Sequence, residues 1–433
     1  MSRVYSTKET KSAKISAVYD THRLVYWIQD ARSEWIRVNE SAVNRLLKSK
    51  GLTARVSKGH DISALEKELI RIQTNQNVKY AGPLAGYRTG IHELPEGKIL
   101  VTRSPVLIEP KAGEWPILYA LLEGMLVDSF VDQRPYLFGW LKTAVEALRK
   151  EKKRPGQALV LCGPPNCGKS LLQNLFTTIL GGRAAKPYQF MTGLTSFNSD
   201  LFEAEHLMIE DEAASTDIRA RRNLGSHIKS ITVNEVQRNH GKNRDALSLS
   251  PFWRLSITVN DEPENLMVLP IIDDSLEDKI ILMKAYRREM PMPTFTQDER
   301  SFFWSTLVAE LPAFIDFLLK WEIPKELQSQ RFGVTHYHHP EILQAIDDLA
   351  PEKKLLTFID GKLFENHSGP WKGTAEDLER RLMNYDDIVY EVKRLLTYNT
   401  ACGTYLGRLA RRYPNRVKPN RTTSSREWII SPQ

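Results

Sequence analysis

The chain has 433 residues, of which 41% are hydrophobic and 26% are charged, and its formal net charge is +7. This length favours two to four domains, and the apolar content excludes a largely disordered chain. No stretch approaches the roughly 18 uninterrupted apolar residues of a membrane span, and the polar N-terminus lacks the apolar run of a secretory signal. Three cysteines without a CxxC pair exclude a disulfide framework, so we expect a cytoplasmic protein.

Residues 1–110 predict a small accessory module. Aromatic and β-branched residues in VYDTHRLVYWI and EWIRV predict short strands, and amphipathic patterns predict helices over residues 41–50 and 61–73. Residues 82–110 are rich in Gly and Pro, which predicts irregular connections or short hairpins.

The rest of the chain predicts four further regions. Residues 111–155 contain two helical stretches followed by a charged linker. We expect the two helices to act as a collar. Residues 156–290 alternate apolar strands with helices, the pattern of an α/β core with a parallel sheet. A helical segment over residues 291–345 then precedes a compact C-terminal module over residues 346–433.

The segment ALVLCGPPNCGKSLLQNLFTTIL contains the parts of a Walker A phosphate-binding loop between an apolar strand and a helix. Gly163 and Gly168 permit the tight backbone whose N–H groups surround phosphate oxygens. Lys169 can reach the β- and γ-phosphates, and Ser170 can bind Mg²⁺. We therefore expect ATP and Mg²⁺ as cofactors. The expected nucleotide-binding residues are Gly163, Pro164, Pro165, Asn166, Cys167, Gly168, Lys169, Ser170 and Leu171.

Two later strands end in polar residues that suit phosphate chemistry. AEHLMIEDEAAS is an apolar strand that ends in Glu210, Asp211 and Glu212. A carboxylate at the end of such a strand can hold the metal and its neighbour can orient the attacking water, so we assign Asp211 to Mg²⁺ and Glu212 or Glu210 to the water. RLSITVN ends at Asn260, whose amide can hydrogen-bond the water or the γ-phosphate.

A β-hairpin is expected between these strands, because ITVNEVQ and ALSLSP flank a polar, glycine-containing tip. An ordinary surface hairpin also has a polar tip, so the alternative is a tip without a ligand. If the hairpin binds DNA, its contacts are Arg238, His240, Lys242 and Arg244.

The order and spacing of GPPNCGKS, LMIEDE, the basic hairpin and LSITVND resemble the superfamily 3 helicases of the AAA+ class, which small DNA viruses, poxviruses, phages and plasmids encode. The chain resembles most the helicase half of phage and mobile-element primase-helicase proteins. This resemblance covers residues 156–286. It implies a hexameric ring that threads single-stranded DNA past its hairpins in the 3′-to-5′ direction.

The resemblance also assigns roles to single residues. His240 and Lys242 match the basic hairpin tip of the family, and Asn260 matches its sensor asparagine. The family places an arginine finger after the third motif, but the best-matching position here is Lys279. The trans-acting cation is therefore Lys279, a weaker point charge than arginine, or one of Arg287 and Arg288.

The C-terminal module predicts a winged helix. Thr374 and Asp377 predict a capping box at a first helix. ACGTYLGRLARRY predicts a second helix with Leu406 and Leu409 facing inward, and VKPNRTTSSREWIIS predicts a two-stranded wing. A small protein-docking domain is the alternative. The residues expected to point outward and contact duplex DNA are Arg408, Arg411 and Arg412.

Together these features predict an ATP-dependent DNA helicase, a homo-hexamer that acts on single-stranded and forked or duplex DNA. No acidic cluster of the polymerase type precedes the loop, so a separate primase or polymerase is an expected partner. One alternative is an ATP-dependent initiator or loader that opens or marks an origin without processive unwinding. Another is a nucleotide switch in defence or signalling, which requires no DNA stimulation.

Overall fold

The computed structural model describes residues 16–95, 97–210, 218–242, 246–365, 367–421 and 426–432. The strands are β1 (Ala17–Asp20), β2 (Val25–Gln29), β3 (Trp35–Val38), β4 (Asn77–Val78), β5 (Tyr80–Gly82), β6 (Gly90–Leu94), β7 (Gly97–Val101), β8 (Ala158–Cys162), β9 (Ala184–Ala185), β10 (His206–Glu210), β11 (Gln237–Asn239), β12 (Leu247–Leu249), β13 (Arg254–Val259), β14 (Ile280–Lys284), β15 (Gln328–Ser329), β16 (Gly333–Val334), β17 (Trp371–Thr374), β18 (Val417–Arg421) and β19 (Arg426–Ile430). The α-helices are α1 (Glu40–Ser49), α2 (Ala64–Asn75), α3 (Pro116–Leu126), α4 (Arg134–Lys150), α5 (Lys169–Ile179), α6 (Tyr188–Thr192), α7 (Ile218–Val233), α8 (Pro263–Leu266), α9 (Gln297–Lys320), α10 (Pro340–Asp348), α11 (Pro351–Leu363), α12 (Ala375–Met383), α13 (Val389–Leu395) and α14 (Ala401–Arg412).

A parallel sheet of five strands, in the order β14-β8-β13-β10-β9, lies at the centre of the protein. All five residues of β8 are buried, as expected for a parallel strand covered on both faces. Leu159 and Leu161 face one apolar cluster, whereas Val160 and Cys162 face another. The predicted α/β fold with a parallel sheet is confirmed.

Helices cover one face of the sheet, and a mixed layer covers the other. The first cluster joins the sheet to α3, α4, α5 and α9. The second joins it to α6, α7, α10 and the small sheet β5-β7-β6. The helices α3 and α4, predicted as a collar, thus pack on the central sheet, because their apolar faces contribute to its core. A role between subunits stays a prediction.

The N-terminal module has a sheet of its own in the order β3-β2-β1-β4, packed with α1 and α2. The glycine-rich segment that follows contains the antiparallel pair β6–β7, which joins β5. Val18, Ala81 and Leu100 share one small cluster, which links the two sheets. The expected short hairpin is therefore present.

Helix α9 is the one described helix that is long and apolar enough to cross a membrane. It begins at a capping box between Thr296 and Glu299. Its Phe303, Leu307 and Leu311 are buried in the cluster that covers the central sheet. Helix α9 packs on α3, α4 and α5, so these apolar residues belong to the core of the helical layer.

Two predicted elements differ in the structure. The segment ITVNEVQ was expected to be a strand, but α7 continues to Val233 and β11 begins only at Gln237. Thr232 is buried and its hydroxyl donates to Ile228 O, so its position in the core overrides its β propensity. Residues 291–345, predicted to be helical, also contain the antiparallel pair β15–β16.

In the C-terminal module, β17, β19 and β18 form an antiparallel sheet against which α14 and α12 pack. The capping box between Thr374 and Asp377 is present at α12. Leu406 and Leu409 are fully buried, and β18 and β19 pair as the expected two-stranded ribbon. Helices α11 and α13 and strand β17 were not predicted.

Candidate nucleotide site

The glycine-rich loop follows β8 at the carboxyl edge of the central sheet. Gly168 has φ +95° and Asn166 has φ +60°, so the loop backbone is left-handed at two places. A Cβ atom on Gly163 would lie 2.2 Å from the carbonyl oxygen of Ala285. Gly163 and Gly168 are therefore required by close approach and by backbone conformation respectively.

Lys169, the first residue of α5, is only 5% exposed. Its Nζ donates to the carbonyl oxygens of Gly163 (2.8 Å) and Pro164 (2.9 Å) and to Oδ1 of Asn260 (2.9 Å). All three acceptors are neutral, so the ammonium has a full set of hydrogen bonds without a carboxylate. Phosphate oxygens at this loop can replace these neutral acceptors.

The other loop residues surround this lysine. Ser170 is exposed in the first turn of α5, and Leu171 packs partly buried against the core. Cys167 is buried, which raises the pKa of its thiol. A buried thiol with a raised pKa is a poor nucleophile, so Cys167 fills space in the loop.

The ends of β10 and β13 lie beside the loop. In the sheet register, Glu210 is opposite Thr258, two residues before Asn260. The carboxylate of Glu210 lies 3.4 Å from Nζ of Lys186. Asp211 and Glu212 lie outside the described residues, so the metal ligand and the preferred water-orienting residue stay predictions.

A buried polar network beneath the loop was not predicted from the sequence. Gln173 Nε2 donates to Ser256 Oγ (2.8 Å) and to the carbonyl oxygen of Ile209 (3.2 Å), and Gln173 Oε1 accepts from Thr258 Oγ1 (3.3 Å). These bonds tie α5 to both β10 and β13. Two hydroxyl residues within the apolar strand RLSITV were the signal that could have revealed it.

His206 extends this network. Its Nε2 lies 2.7 Å from Ser256 Oγ, and its Nδ1 lies 2.7 Å from Thr177 Oγ1. Burial lowers the pKa of His206 to about 3, so the imidazole is neutral at physiological pH. The network therefore holds the loop helix on the sheet through neutral hydrogen bonds.

The predicted hairpin is present as β11–β12, and a neighbouring loop holds it in place. Asn198 is buried; its Oδ1 accepts from His240 N (2.7 Å) and its Nδ2 donates to Arg238 O (2.9 Å). The side chains of Arg238 and Lys242 are exposed. The position of Arg244 lies outside the described residues.

The candidate trans-acting cations lie at two edges of the sheet: Lys279 at the amino edge, and Arg287 and Arg288 at the carboxyl edge. Lys279 precedes β14 at the amino edge and forms an ion pair with Asp278. Arg287 and Arg288 are exposed and follow β14 at the edge of the chain's own loop. The choice among them stays a prediction.

Two of the three predicted DNA contacts on α14 form ion pairs within the chain. Arg408 contacts Glu352 (3.1 Å), and Arg412 pairs with Asp347. Arg411 is exposed. If all three arginines contact DNA as predicted, the ion pairs of Arg408 and Arg412 must break.

The loop fits a nucleotide, because two glycines keep its backbone open and the acceptors of its buried lysine are three neutral oxygens and the Cys167 thiol. Among the described residues, the hydroxyl of Ser170 is the predicted metal ligand. No group of three or more His, Cys, Asp or Glu that could hold a metal ion occurs within the described ranges. The remaining metal ligands would therefore come from phosphate, water and the predicted Asp211.

Comparisons with known proteins agree with this architecture. A family of unknown function, DUF5906, matches residues 161–275. The apo structure of the NrS-1 C-terminal region is similar over 97% of both chains, with a TM-score of 0.56 and 12% identity. A second apo structure of this region matches 97% of this chain and 96% of that one, with a TM-score of 0.56 and 13% identity. No curated protein sequence matches.

A structure described as the active helicase SCCmec type IV Cch also matches, over 93% of this chain and 73% of that chain. Its TM-score is 0.32 and its identity is 10%, which is too low to establish a shared fold. The fold and the site thus define a mixed α/β protein with a glycine-rich loop on a parallel sheet. The particular fold is shared with the NrS-1 C-terminal region.

Proposed function

We propose that this chain is an ATP-dependent DNA helicase of the superfamily 3 AAA+ type that replicates a phage, plasmid or integrative element. The observation that carries the proposal is the contact between Lys169 Nζ and Asn260 Oδ1, 2.9 Å apart. It joins the predicted Walker lysine to the predicted sensor asparagine at one edge of the sheet. ATP and Mg²⁺ are the proposed cofactors.

The proposed chemistry requires positioning and charge stabilisation. Bound Mg²⁺ would supply positive charge to the phosphates, and Ser170 and Asp211 would hold it. Lys169 exchanges its neutral acceptors for phosphate oxygens, which releases Asn260 to bind the γ-phosphate or the attacking water. The chain's own residues thus bind the nucleotide and report its state through one hydrogen bond.

The path from the site to the hairpin is short in sequence. Strand β10 ends at Glu210, α7 spans Ile218–Val233, and β11 begins at Gln237. Helix α7 is the described helix between β10 and the hairpin, and we propose that a displacement of this helix moves His240 and Lys242. We propose that this movement carries single-stranded DNA through a homo-hexameric, cytoplasmic ring in the 3′-to-5′ direction.

The C-terminal module completes the proposal as a winged helix. Its helix α14 and the ribbon β18–β19 have the arrangement of a helix followed by a wing, and Lys418 is exposed on the ribbon. Such a module would bind duplex DNA mainly through phosphates and place the motor at its substrate.

The test is DNA-stimulated ATP hydrolysis and strand displacement on a forked substrate. The double variant His240→Ala/Lys242→Ala should retain ATP binding but lose stimulation and unwinding, whereas the surface control Lys67→Ala should retain both. If stimulation and unwinding survive in the hairpin variant, the hairpin does not move DNA. DNA-stimulated hydrolysis without strand displacement by the wild-type protein would instead indicate the initiator or loader. Hydrolysis without stimulation would indicate the nucleotide switch.

A further inference from the structure

A pocket of about 140 Å³ lies at the amino edge of the central sheet, opposite the glycine-rich loop. It opens between the segment before β6, the end of α4 and the residue pair before β13. Tyr87 and His92 provide two rings, 5.3 Å apart and edge to face. Phe252 forms part of the apolar wall. The pocket belongs to no part of the proposed nucleotide site.

The charged linker after α4 makes this pocket basic. Lys152 and Lys153 line it, and Nζ of Lys153 lies 4.9 Å from the centre of the Tyr87 ring. Glu151 also lines the pocket, but its carboxylate lies 2.7 Å from Nε of Arg88. The residues that line the pocket include two lysines and one glutamate, and this glutamate also pairs with Arg88, so the lining carries a net positive charge.

A buried arginine packs against Phe252, which lines the pocket. The guanidinium of Arg254 lies 4.7 Å from the centre of the Phe252 ring, and the residue is 1% exposed. Its Nη1 donates to the carbonyl oxygens of Arg154 and Trp253, both at 3.0 Å. Its Nε and Nη2 are buried without an acceptor, and no ion pair of Arg254 with a carboxylate occurs among the described residues.

A glycine lies directly beside this guanidinium. A Cβ atom on Gly156 would lie 2.4 Å from the guanidinium carbon of Arg254, so a larger residue there would require the buried guanidinium to shift. A buried charge without a counter-charge destabilises a protein. An anion bound nearby would offset this cost.

We propose that this pocket binds a phosphate group, with Lys152 and Lys153 as its direct ligands and Arg254 as a fixed positive charge behind Phe252. The rings of Tyr87 and His92 would contact the attached sugar or base. The five residues of β8 separate this site from the glycine-rich loop, and at about 3.3 Å per residue the distance is roughly 15 Å. The phosphate belongs to a nucleic-acid backbone or to a free nucleotide or phosphate ion, and the DNA source rests on the proposed function.

The test compares two variants of the full chain that lose the same charge. Lys152→Gln/Lys153→Gln alters the pocket, and Lys48→Gln/Lys50→Gln alters exposed lysines at the end of α1. The first arm measures the affinity for single-stranded DNA across salt concentrations. The pocket variant should reduce the slope of log affinity against log salt by about 0.7, since the pocket holds one phosphate and each neutralised phosphate of a single strand contributes about 0.7. The control should match the wild type.

The second arm measures the rise in melting temperature that inorganic phosphate causes without DNA, in the Lys169→Ala background so that the ATP loop does not respond. Phosphate should stabilise this protein and the α1 control, but not the pocket variant. Loss of the phosphate response with an unchanged DNA slope identifies a free phosphate or nucleotide as the source. A reduced DNA slope identifies the nucleic-acid backbone.

A third variant, Arg254→Met in the same background, tests the buried charge. Its phosphate-dependent melting shift, measured against its own baseline, should fall to half of the parent's shift or less. A full shift would remove Arg254 from the site. If the pocket and α1 variants match in both arms, the pocket binds no phosphate. The helicase proposal fails by a separate observation: the wild-type protein would not hydrolyse ATP faster when DNA is added.

Discussion

Three arginines of the C-terminal module and two buried cations of the central α/β core, Lys169 and Arg254, have different partners. Three arginines of the C-terminal module contact carboxylates of the same chain: Arg408 with Glu352, Arg412 with Asp347 and Arg416 with Asp360. In the core, the hydrogen-bond acceptors of Lys169 and Arg254 are neutral groups: carbonyl and amide oxygens and, for Lys169, also the Cys167 thiol. A cation paired with a carboxylate must give up that partner to bind phosphate, whereas a cation held by neutral oxygens keeps its charge available. The density of basic residues is thus a poorer guide to anion binding than the identity of their partners.

The largest effect is expected from removing the loop cation. Lys169→Ala should lower ATP turnover by about 100-fold or more, because the loop then lacks the charge that stabilises the transferred phosphate. Steady-state phosphate release measures this. Lys320→Ala, which removes an exposed lysine beside Asp316, is the control. Turnover within three-fold of the wild type would show that the loop does not bind the reacting phosphate.

A carboxylate placed beside the loop cation tests the comparison directly. Asn260→Asp would give Lys169 the kind of partner that the C-terminal arginines have. We expect the Kd for a fluorescent ATP analogue to rise about 10-fold, or about 1.4 kcal/mol. Asn260→Ala should stay within three-fold, because two carbonyl oxygens still hold the ammonium. Equal affinities of the two variants would contradict the argument from partner identity.

Neighbouring arginines on α14 provide a smaller test. Arg411→Ala should weaken duplex DNA binding a few-fold and reduce the salt slope by about 0.9. Arg412→Ala should affect DNA less and instead lower the free energy of unfolding by up to about 1 kcal/mol, since it removes a partly exposed ion pair with Asp347. Fluorescence anisotropy and urea unfolding measure the two effects. A greater loss of DNA affinity in Arg412→Ala would mean that this ion pair opens to bind DNA.

The last effect concerns the pH dependence of the network beneath the loop. The pKa of His206 is lowered to about 3 in the folded chain, below the ordinary value of about 6.5. Between these values the unfolded chain binds a proton that the folded chain does not, so the stabilisation present above pH 6.5 is lost as pH falls. Urea unfolding at pH 7 and 5.5 should show a decline of about 1 kcal/mol per pH unit more in the wild type than in His206→Gln. Identical slopes would show that His206 accepts a proton in the folded state.

Local patterns predicted local elements well. The strand Ala158–Cys162 and the capping box at Thr374 were expected, because a continuous apolar run and a capping sequence are complete within a few residues. The segment around Thr232 was assigned wrongly, since the packing of α7 on the core outweighed its β-branched residues. The network of Gln173 and His206 was not foreseen, because its members come from three separate elements.

The sequence alone predicted the parallel α/β core, the glycine-rich loop and the order of the strands that end in polar residues. Each of these features depends on short-range periodicity or on the backbone freedom of glycine. Tertiary structure alone decided which cations have carboxylate partners. It paired Arg412 with Asp347, 65 residues away, and placed Arg254 beside neutral carbonyls. The partner of a charged side chain depends on which distant segment folds against it, and no local pattern contains that information.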